Sequence, residues 1–347
     1  NWPGNIKEFH GVLGKLIQTC ANQQTISIQD LPSEILKSHN QIDTTTLNEI
    51  GSLKETKSIE MQENETNPYQ KSYPQRTLKR SVVLCGSSLH SGIKTGLILQ
   101  PMPAGSGIIF GDIASGKTIP AQLENVQSTD YSTCLKKGVN SVGTIEHIMA
   151  TLHMYRVTNL LIKIGDEAPV MDGSAKDFCE LLEDGEFEEQ DDFYEEIVVD
   201  KSYSFGDKDK GEPYISIEPS EKFSVSYHMD YPEPIGVQDF TYEFDGDESF
   251  KKEIAPARTF GFMEEVAQLT KMGYASGGKL DNFILLGDKK VLNTKLRFED
   301  EFARHKILDI LGDFYLLGKP IRGKIKAHKS GHTQNVGLLK KVRESLL

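Results

Sequence analysis

Several absences narrow the reading of these 347 residues before any motif is sought. No apolar run approaches the roughly 20 residues of a membrane-spanning helix, so a helical membrane protein is excluded. No basic surplus exists either. Lys and Arg number 39 against 51 Asp and Glu, a net charge of -12, whereas nucleic-acid binders normally show a basic balance or patch. Cys20, Cys85, Cys134 and Cys179 form no C-x-x-C pair, which fits neither a disulfide framework nor a zinc knuckle. Reduced thiols in a cytoplasmic protein are expected, and no apolar secretory core follows Asn1. G-x-G-x-x-G and H-E-x-x-H are also missing, which argues against a dinucleotide fold and the common zinc-protease helix.

The composition itself is globular, with 37% hydrophobic and 26% charged residues, and the length suggests two domains. Residues 1–36 carry apolar positions at helical spacing. Residues 37–75 are polar and read as a flexible linker. Strand-like runs begin at Thr77. Between Glu183 and Asp200 stand ten acidic residues and no Lys or Arg, which reads as a solvated boundary near residue 190. Strands grouped with helices, without regular alternation, predict an α+β fold. Helices are expected at Thr144–Met154, Met263–Lys271 and Arg297–Leu317, with Thr144 as a cap and Ser174–Asp177 as a capping box.

Chemistry concentrates in a few segments. On the helix expected over Arg297–Leu317, His305, Asp309 and Asp313 share a sector apart from the apolar face, at steps of one turn. A His and an Asp so placed suit one metal, and Asp313 is placed to orient a further group. Glu146 and His147 lie off the apolar face of their own helix. A carboxylate beside a metal-ligating His is one way to hold a general base. His332, after Lys329-Ser330-Gly331, is a loop histidine able to titrate near neutrality. Thr259 offers a hydroxyl between apolar Phe260 and Phe262. The Gly86–Gly92 loop has no phosphate-cradle spacing. Taken singly, each of these is more often a solvated face, a surface histidine, a core aromatic pair or a hairpin turn.

Taken in order, they resemble one family. Leu89-His90-Ser91-Gly92, Thr144-Ile145-Glu146-His147, Met171-Asp172-Gly173-Ser174-Ala175, Ala257-Arg258-Thr259-Phe260-Gly261-Phe262-Met263, Leu296-Arg297-Phe298-Glu299-Asp300-Glu301-Phe302, Arg304-His305-Lys306, Asp309 and Lys329-Ser330-Gly331-His332 are similar to segments of the UDP-3-O-acyl-N-acetylglucosamine deacetylases. These are zinc amidases of the committed step of lipid A synthesis. The likeness runs from about Thr77 to the C-terminus. It implies two similar α/β-layer domains, 76–189 and 190–347, packed face to face. A β-α-β insert at about Gly261–Asn293 in the second would form an acyl passage.

The resemblance further implies that His147, His305 and Asp309 hold Zn(II), or Fe(II), with an open position for water. Glu146 would act as general base. His332, oriented by Asp313, would serve as acid or charge stabiliser. Thr259 and Lys306 would contact the developing charge. Leu89, His90, Phe260, Met263, Lys326 and Lys329 would touch a UDP-linked acyl amino sugar. A monomer in the cytoplasm, without nucleic acid, is expected. One departure is Gly86-Ser87-Ser88-Leu89, where the family usually has Gly-x-Gly-Leu.

Residues 1–36 instead resemble the end of a sigma-54-dependent activator ATPase domain, through Asn1-Trp2-Pro3-Gly4-Asn5-Ile6-Lys7-Glu8 and Asp30-Leu31-Pro32. Lys7 stands where that family usually has Arg, and no ATPase activity is expected. The competing view, a binding protein with a degenerate amidase part, predicts loss of at least one of Glu146, His147, His305, Asp309 and His332. All five are present.

Overall fold

The computed structural model describes residues 25–27, 72–208, 210–271, 277–278 and 281–346. The ATPase-remnant reading of 1–36 lies outside the described residues, save Thr25–Ser27. The linker reading of 37–75 lies outside them up to residue 71.

In chain order the first half carries β1 (Thr25–Ser27), β2 (Ser72–Leu78), β3 (Val82–Ser87), β4 (Lys94–Pro101), β5 (Ile108–Asp112), β6 (Thr118–Pro120), β7 (Val126–Ser128), β8 (Cys134–Lys137), β9 (Asn140–Val142), α1 (Glu146–Met154), β10 (Leu160–Ile164) and α2 (Lys176–Asp184). The second half carries β11 (Phe187–Glu195), β12 (Ile197–Val198), β13 (Tyr203–Phe205), β14 (Tyr214–Glu218), β15 (Ser224–Asp230), β16 (Val237–Glu243), α3 (Asp247–Glu253), β17 (Phe260–Phe262), α4 (Met263–Lys271), β18 (Ile284–Leu286), α5 (Glu301–Phe314), β19 (Ile321–Arg322), β20 (Lys324–His328) and α6 (His332–Leu346).

The fold is α+β, as expected. A six-stranded sheet has the order β1-β3-β4-β10-β5-β6, and a five-stranded sheet the order β13-β14-β20-β15-β16. Leu160, Ile162 and Ile164 alternate inward along β10, the period-2 pattern of a half-buried strand. α5 packs on β15 and β16 with one side and on α1 with the other. Twelve of its fourteen residues are buried, so its polar sector is enclosed as firmly as its apolar one. Strands β17 and β18 are parallel and joined through α4, which is the expected β-α-β unit.

Local differences from the sequence reading have physical causes. The acidic run is a strand, not a solvated loop. Its β11 pairs antiparallel with β2, which begins at Ser72, inside the stretch read as linker. Its outward carboxylates meet basic residues, Glu189 facing Arg76 at 3.5 Å and Glu186 facing Lys79 at 3.1 Å. The expected boundary at 189/190 thus runs through β11. Thr144 is no helix cap, because its φ of 56° turns the chain left-handed just before α1. Ser174 Oγ accepts from the Lys176 N–H at 3.3 Å at the start of α2, but no return bond from Asp177 completes a capping box among the described residues. The Ser174 N–H and hydroxyl both donate to Asp172 Oδ1, at 2.9 and 2.6 Å. His332 opens α6 rather than sitting in the preceding loop. Cys134 and Cys179 are free thiols, while Cys20 lies outside the described residues.

A further motif went unread in the sequence. Gly111-Asp112-Ile113-Ala114-Ser115-Gly116-Lys117-Thr118 matches the spacing of a phosphate-binding P-loop. The structure makes it the hairpin between antiparallel β5 and β6, with Asp112 N–H donating to Lys117 O at 2.9 Å. A P-loop needs a helix N-terminus after its glycines to present N–H groups. A strand follows here, so the match carries no nucleotide site.

The α1–α5 contact is backbone to backbone at Gly312, where a Cβ would lie 2.0 Å from the Glu146 carbonyl oxygen. Helix propensity alone would make Gly312→Ala stabilising by about 1 kcal/mol. The clash reverses that sign, because neither helix backbone yields cheaply. We expect a net loss of about 1–3 kcal/mol, the usual cost of overpacking, seen as a lower urea midpoint. An unchanged midpoint would mean that the helices do not touch here.

Candidate active site

α5 and α1 bring the candidate metal ligands together. His305 and Asp309 stand one turn apart on α5, and His147 reaches them from the first turn of α1. Ligand atoms of all three lie within 4.8 Å of one another. Asp309 Oδ1 is 3.5 Å from His305 Nε2 and 3.9 Å from His147 Nε2. His305 Nδ1 lies 3.1 Å from Ala257 O, so its proton sits on Nδ1 and Nε2 is left as a lone pair. Asp309 Oδ2 accepts from Lys306 Nζ at 2.7 Å. All three are buried, although periodicity had placed His147 away from the core.

Burial and its neighbour His305 push the His147 imidazole down to about 3. Burial likewise lowers His305. Burial alone would raise Asp309, but Lys306 and the surrounding imidazoles outweigh it and hold the carboxyl well below the usual range. At neutral pH the cluster is two neutral imidazoles and one carboxylate. That is the charge state a divalent ion requires of such ligands.

Beside it lies a second group that sequence reasoning traced only in part. His332 Nδ1 pairs with Asp313 Oδ2 at 2.8 Å. Burial by itself lowers His332, but Asp313 and then Glu146 prevail and raise it to about 9. Glu146 Oε1 faces His332 Nε2 at 3.8 Å. Burial drives the Glu146 carboxyl up to about 7, with His332 pulling the other way. Thr133 ties the two halves together. Its N–H donates to Glu146 Oε2 at 3.1 Å and its hydroxyl to Asp313 Oδ1 at 2.6 Å. Asn335 Nδ2 donates to Asp313 Oδ2 at 2.8 Å. Neither Thr133 nor Asn335 was found from sequence. Thr133 stands 180 residues from Asp313, and nothing local marks it.

These groups border a cavity of about 910 Å3 whose walls also include Leu89, His90, Thr259, Phe260, Met263 and Lys306. Phe262, Val266, Phe283 and Leu286 make one side apolar, and all come from the β-α-β unit. Glu167 fixes the opposite loop by accepting from the N–H groups of His90 and Ser91, at 2.8 and 3.0 Å. Arg258 and fully buried Glu301 clamp the β17 approach to the start of α5 at 2.8 Å, which holds Ala257 O against His305. Non-glycine residues with positive φ sit in three of the site segments, at Thr144, Met171 and Lys329. Such strain persists where the surroundings over-determine it, as in active sites.

Two expected substrate contacts are not among the cavity's lining residues. Lys326 lines a separate groove on the five-stranded sheet and pairs with Glu218 at 2.7 Å. Lys329 pairs with Asp230 at 3.2 Å, one residue from Tyr231 in the cavity wall. Alternation along β20 explains Lys326: Ile325 and Ala327 are buried, so Lys326 must point to the other face.

A buried carboxylate, an imidazole held protonated by its carboxylate neighbours and a His-His-Asp cluster able to hold a metal ion meet at one half-apolar cavity, an arrangement of the hydrolase class. Comparison with known proteins makes this particular. Residues 75–344 match the family model of UDP-3-O-acyl N-acetylglycosamine deacetylase, and the chain belongs to that family. The UDP-3-O-acyl-N-acetylglucosamine deacetylase of Myxococcus xanthus is 42% identical over 276 residues, 78% of this chain and 87% of the relative. That of Acidithiobacillus ferrooxidans is 42% identical over 273 residues, 77% and 88% of the two chains. That of Nautilia profundicola is 40% identical over 270 residues, 77% and 91%. No helix among the described residues is long and apolar enough to cross a membrane.

Proposed function

We propose that this chain hydrolyses the N-acetyl group of UDP-3-O-(3-hydroxyacyl)-N-acetylglucosamine, releasing acetate in the committed step of lipid A biosynthesis. The observation that carries this is the meeting of His147, His305 and Asp309 with Glu146 and His332 on one cavity floor. Family membership supplies the substrate class. The apolar side of the cavity suits the acyl chain, with Phe260 and Met263 in its wall. Work in the cytoplasm as a monomer belongs to the same proposal.

The cluster fits a divalent ion. Its imidazoles are held neutral and its Nε2 atoms face Asp309 Oδ1. His147, His305 and Asp309 would hold zinc, and the same donors accept ferrous iron. The chemistry supplied by such an ion is Lewis acidity, which polarises a carbonyl and acidifies water. Glu146 takes the proton of the attacking water at Oε1, while the Thr133 N–H keeps Oε2 in place. His332, kept protonated by Asp313, gives a proton to the departing amine nitrogen as the C–N bond breaks. The Thr259 hydroxyl, on the cavity wall, donates to the oxyanion. Lys306 holds Asp309 ionised and adds positive charge beside it.

The test is acetate release from that substrate by purified protein, with and without a zinc chelator. We expect chelator-sensitive release. A folded, metal-loaded sample that releases no acetate would refute the proposal.

A further inference from the structure

The exposed face of the five-stranded sheet carries a second constellation, in the groove of about 730 Å3 that Lys326 helps to line. Tyr214, His328, His228 and Asp239 are in register on adjacent strands β14, β20, β15 and β16, and so form one transverse row. Side chains directly opposite on neighbouring strands stand about 4.5–5.5 Å apart at Cβ. The two imidazoles stack, with ring centroids 5.1 Å apart and planes 10° apart. Asp239 Oδ1 is 2.7 Å from His228 Nδ1.

This geometry decides the chemistry of the pair. Asp239 fixes the His228 proton on Nδ1 and leaves Nε2 as an outward lone pair, the arrangement that carboxylates impose on metal-ligating histidines. The His328 ring makes no hydrogen bond among the described residues, and its stack on His228 is its ring contact; its terminal torsion is of the broad kind that histidine shows. The rings are nearly parallel, so one ion meets both only when the His328 ring turns out of the stack, and that rotation is a premise of the site. Lys326 is neutralised by Glu218 at 2.7 Å, so it does not oppose a cation. Lys329, next to His328, and Lys208 at the groove wall do oppose one, while Asp230 acts the other way and Asp239 pairs with His228.

We propose that His228 and His328 form a bidentate surface site for a late first-row divalent ion, with Asp239 as its outer partner and water completing the shell. Imidazole pairs select nickel, copper(II) and zinc over magnesium or calcium. The site is separate from the cluster of His147, His305 and Asp309, and it does not depend on the reaction proposed above.

Nickel chloride is the probe. Full-length chain is dialysed against it, and bound nickel per chain is counted in wild type, His228→Ala, His328→Ala and Asp239→Asn. We expect wild type to hold one nickel more than either alanine variant, the two alanine variants to agree, and Asp239→Asn to bind about 10–100-fold more weakly. Equal nickel in wild type and both alanine variants would overturn the site. So would loss in one alanine variant alone, since a pair needs both. Acetate release is read on the same samples. It should be unchanged in the alanine variants, which separates failure of this site from failure of the deacetylase reading.

Discussion

Glu146→Gln is expected to lower the turnover of acetate release by about 10²–10⁴-fold, the range of general acid–base catalysis, while the protein keeps its metal. The amide fills the same space and still accepts from the Thr133 N–H, so α1 stays in place. What disappears is the proton acceptor. The pH profile distinguishes this from a merely structural loss. A base raised to about 7 must be ionised to work, so wild-type activity climbs as pH rises through that region. An acid raised to about 9 must stay protonated, so activity falls as pH rises through that region. A cation bound beside them moves both limbs downward in the same sense. In Glu146→Gln the acid limb should vanish and the alkaline limb remain. Retention of the acid limb, or turnover near wild type, would move the base role to another residue.

Much of this site was legible because its parts are short-range. Helical spacing alone put His305, Asp309 and Asp313 on one line, and Glu146 next to His147. Their burial was not legible. A polar sector on α5 reads as a wet face until α1 is laid over it. That contact is set by Gly312, whose missing side chain lets the two backbones meet. The hydrogen bonds that orient Glu146 and Asp313 were hidden for the same reason. Thr133 and Asn335 reach Asp313 only once the chain is folded.

The misreadings share a cause as well. Composition called the Glu183–Asp200 run solvated, and its carboxylates are indeed mostly exposed, but backbone pairing with β2 made it a strand. The P-loop spacing of Gly111–Thr118, which went unread, would have misled in the same way, because the β5–β6 pairing and not the spacing decides that segment. The resemblance implies a substrate contact for Lys326, as a basic residue of the C-terminal strand, and Lys326 is not among the residues lining the cavity. Period-2 alternation, already visible in Lys324-Ile325-Lys326-Ala327, placed it on the far face.

His305→Ala should cost the protein its metal. The substitution removes Nε2 from a three-ligand cluster and leaves two donors, His147 and Asp309, of which Asp309 remains engaged by Lys306 at 2.7 Å. Loss of an outer partner alone costs about 10–100-fold in affinity, so loss of a direct ligand should exceed that. Dialysed against chelator-free buffer, the variant should lose its metal while wild type retains it, and acetate release should fall below detection. The fold should survive. The deletion leaves Ala257 O without the His305 Nδ1 proton, a penalty of about 1–3 kcal/mol, within the stability of a typical domain. Added zinc should restore little activity, whereas a variant weakened only in packing would recover. A full metal complement in folded, dialysed His305→Ala would remove His305 from the ligand set. It would also leave Asp309 and His147 without the third donor on which the proposed mechanism depends.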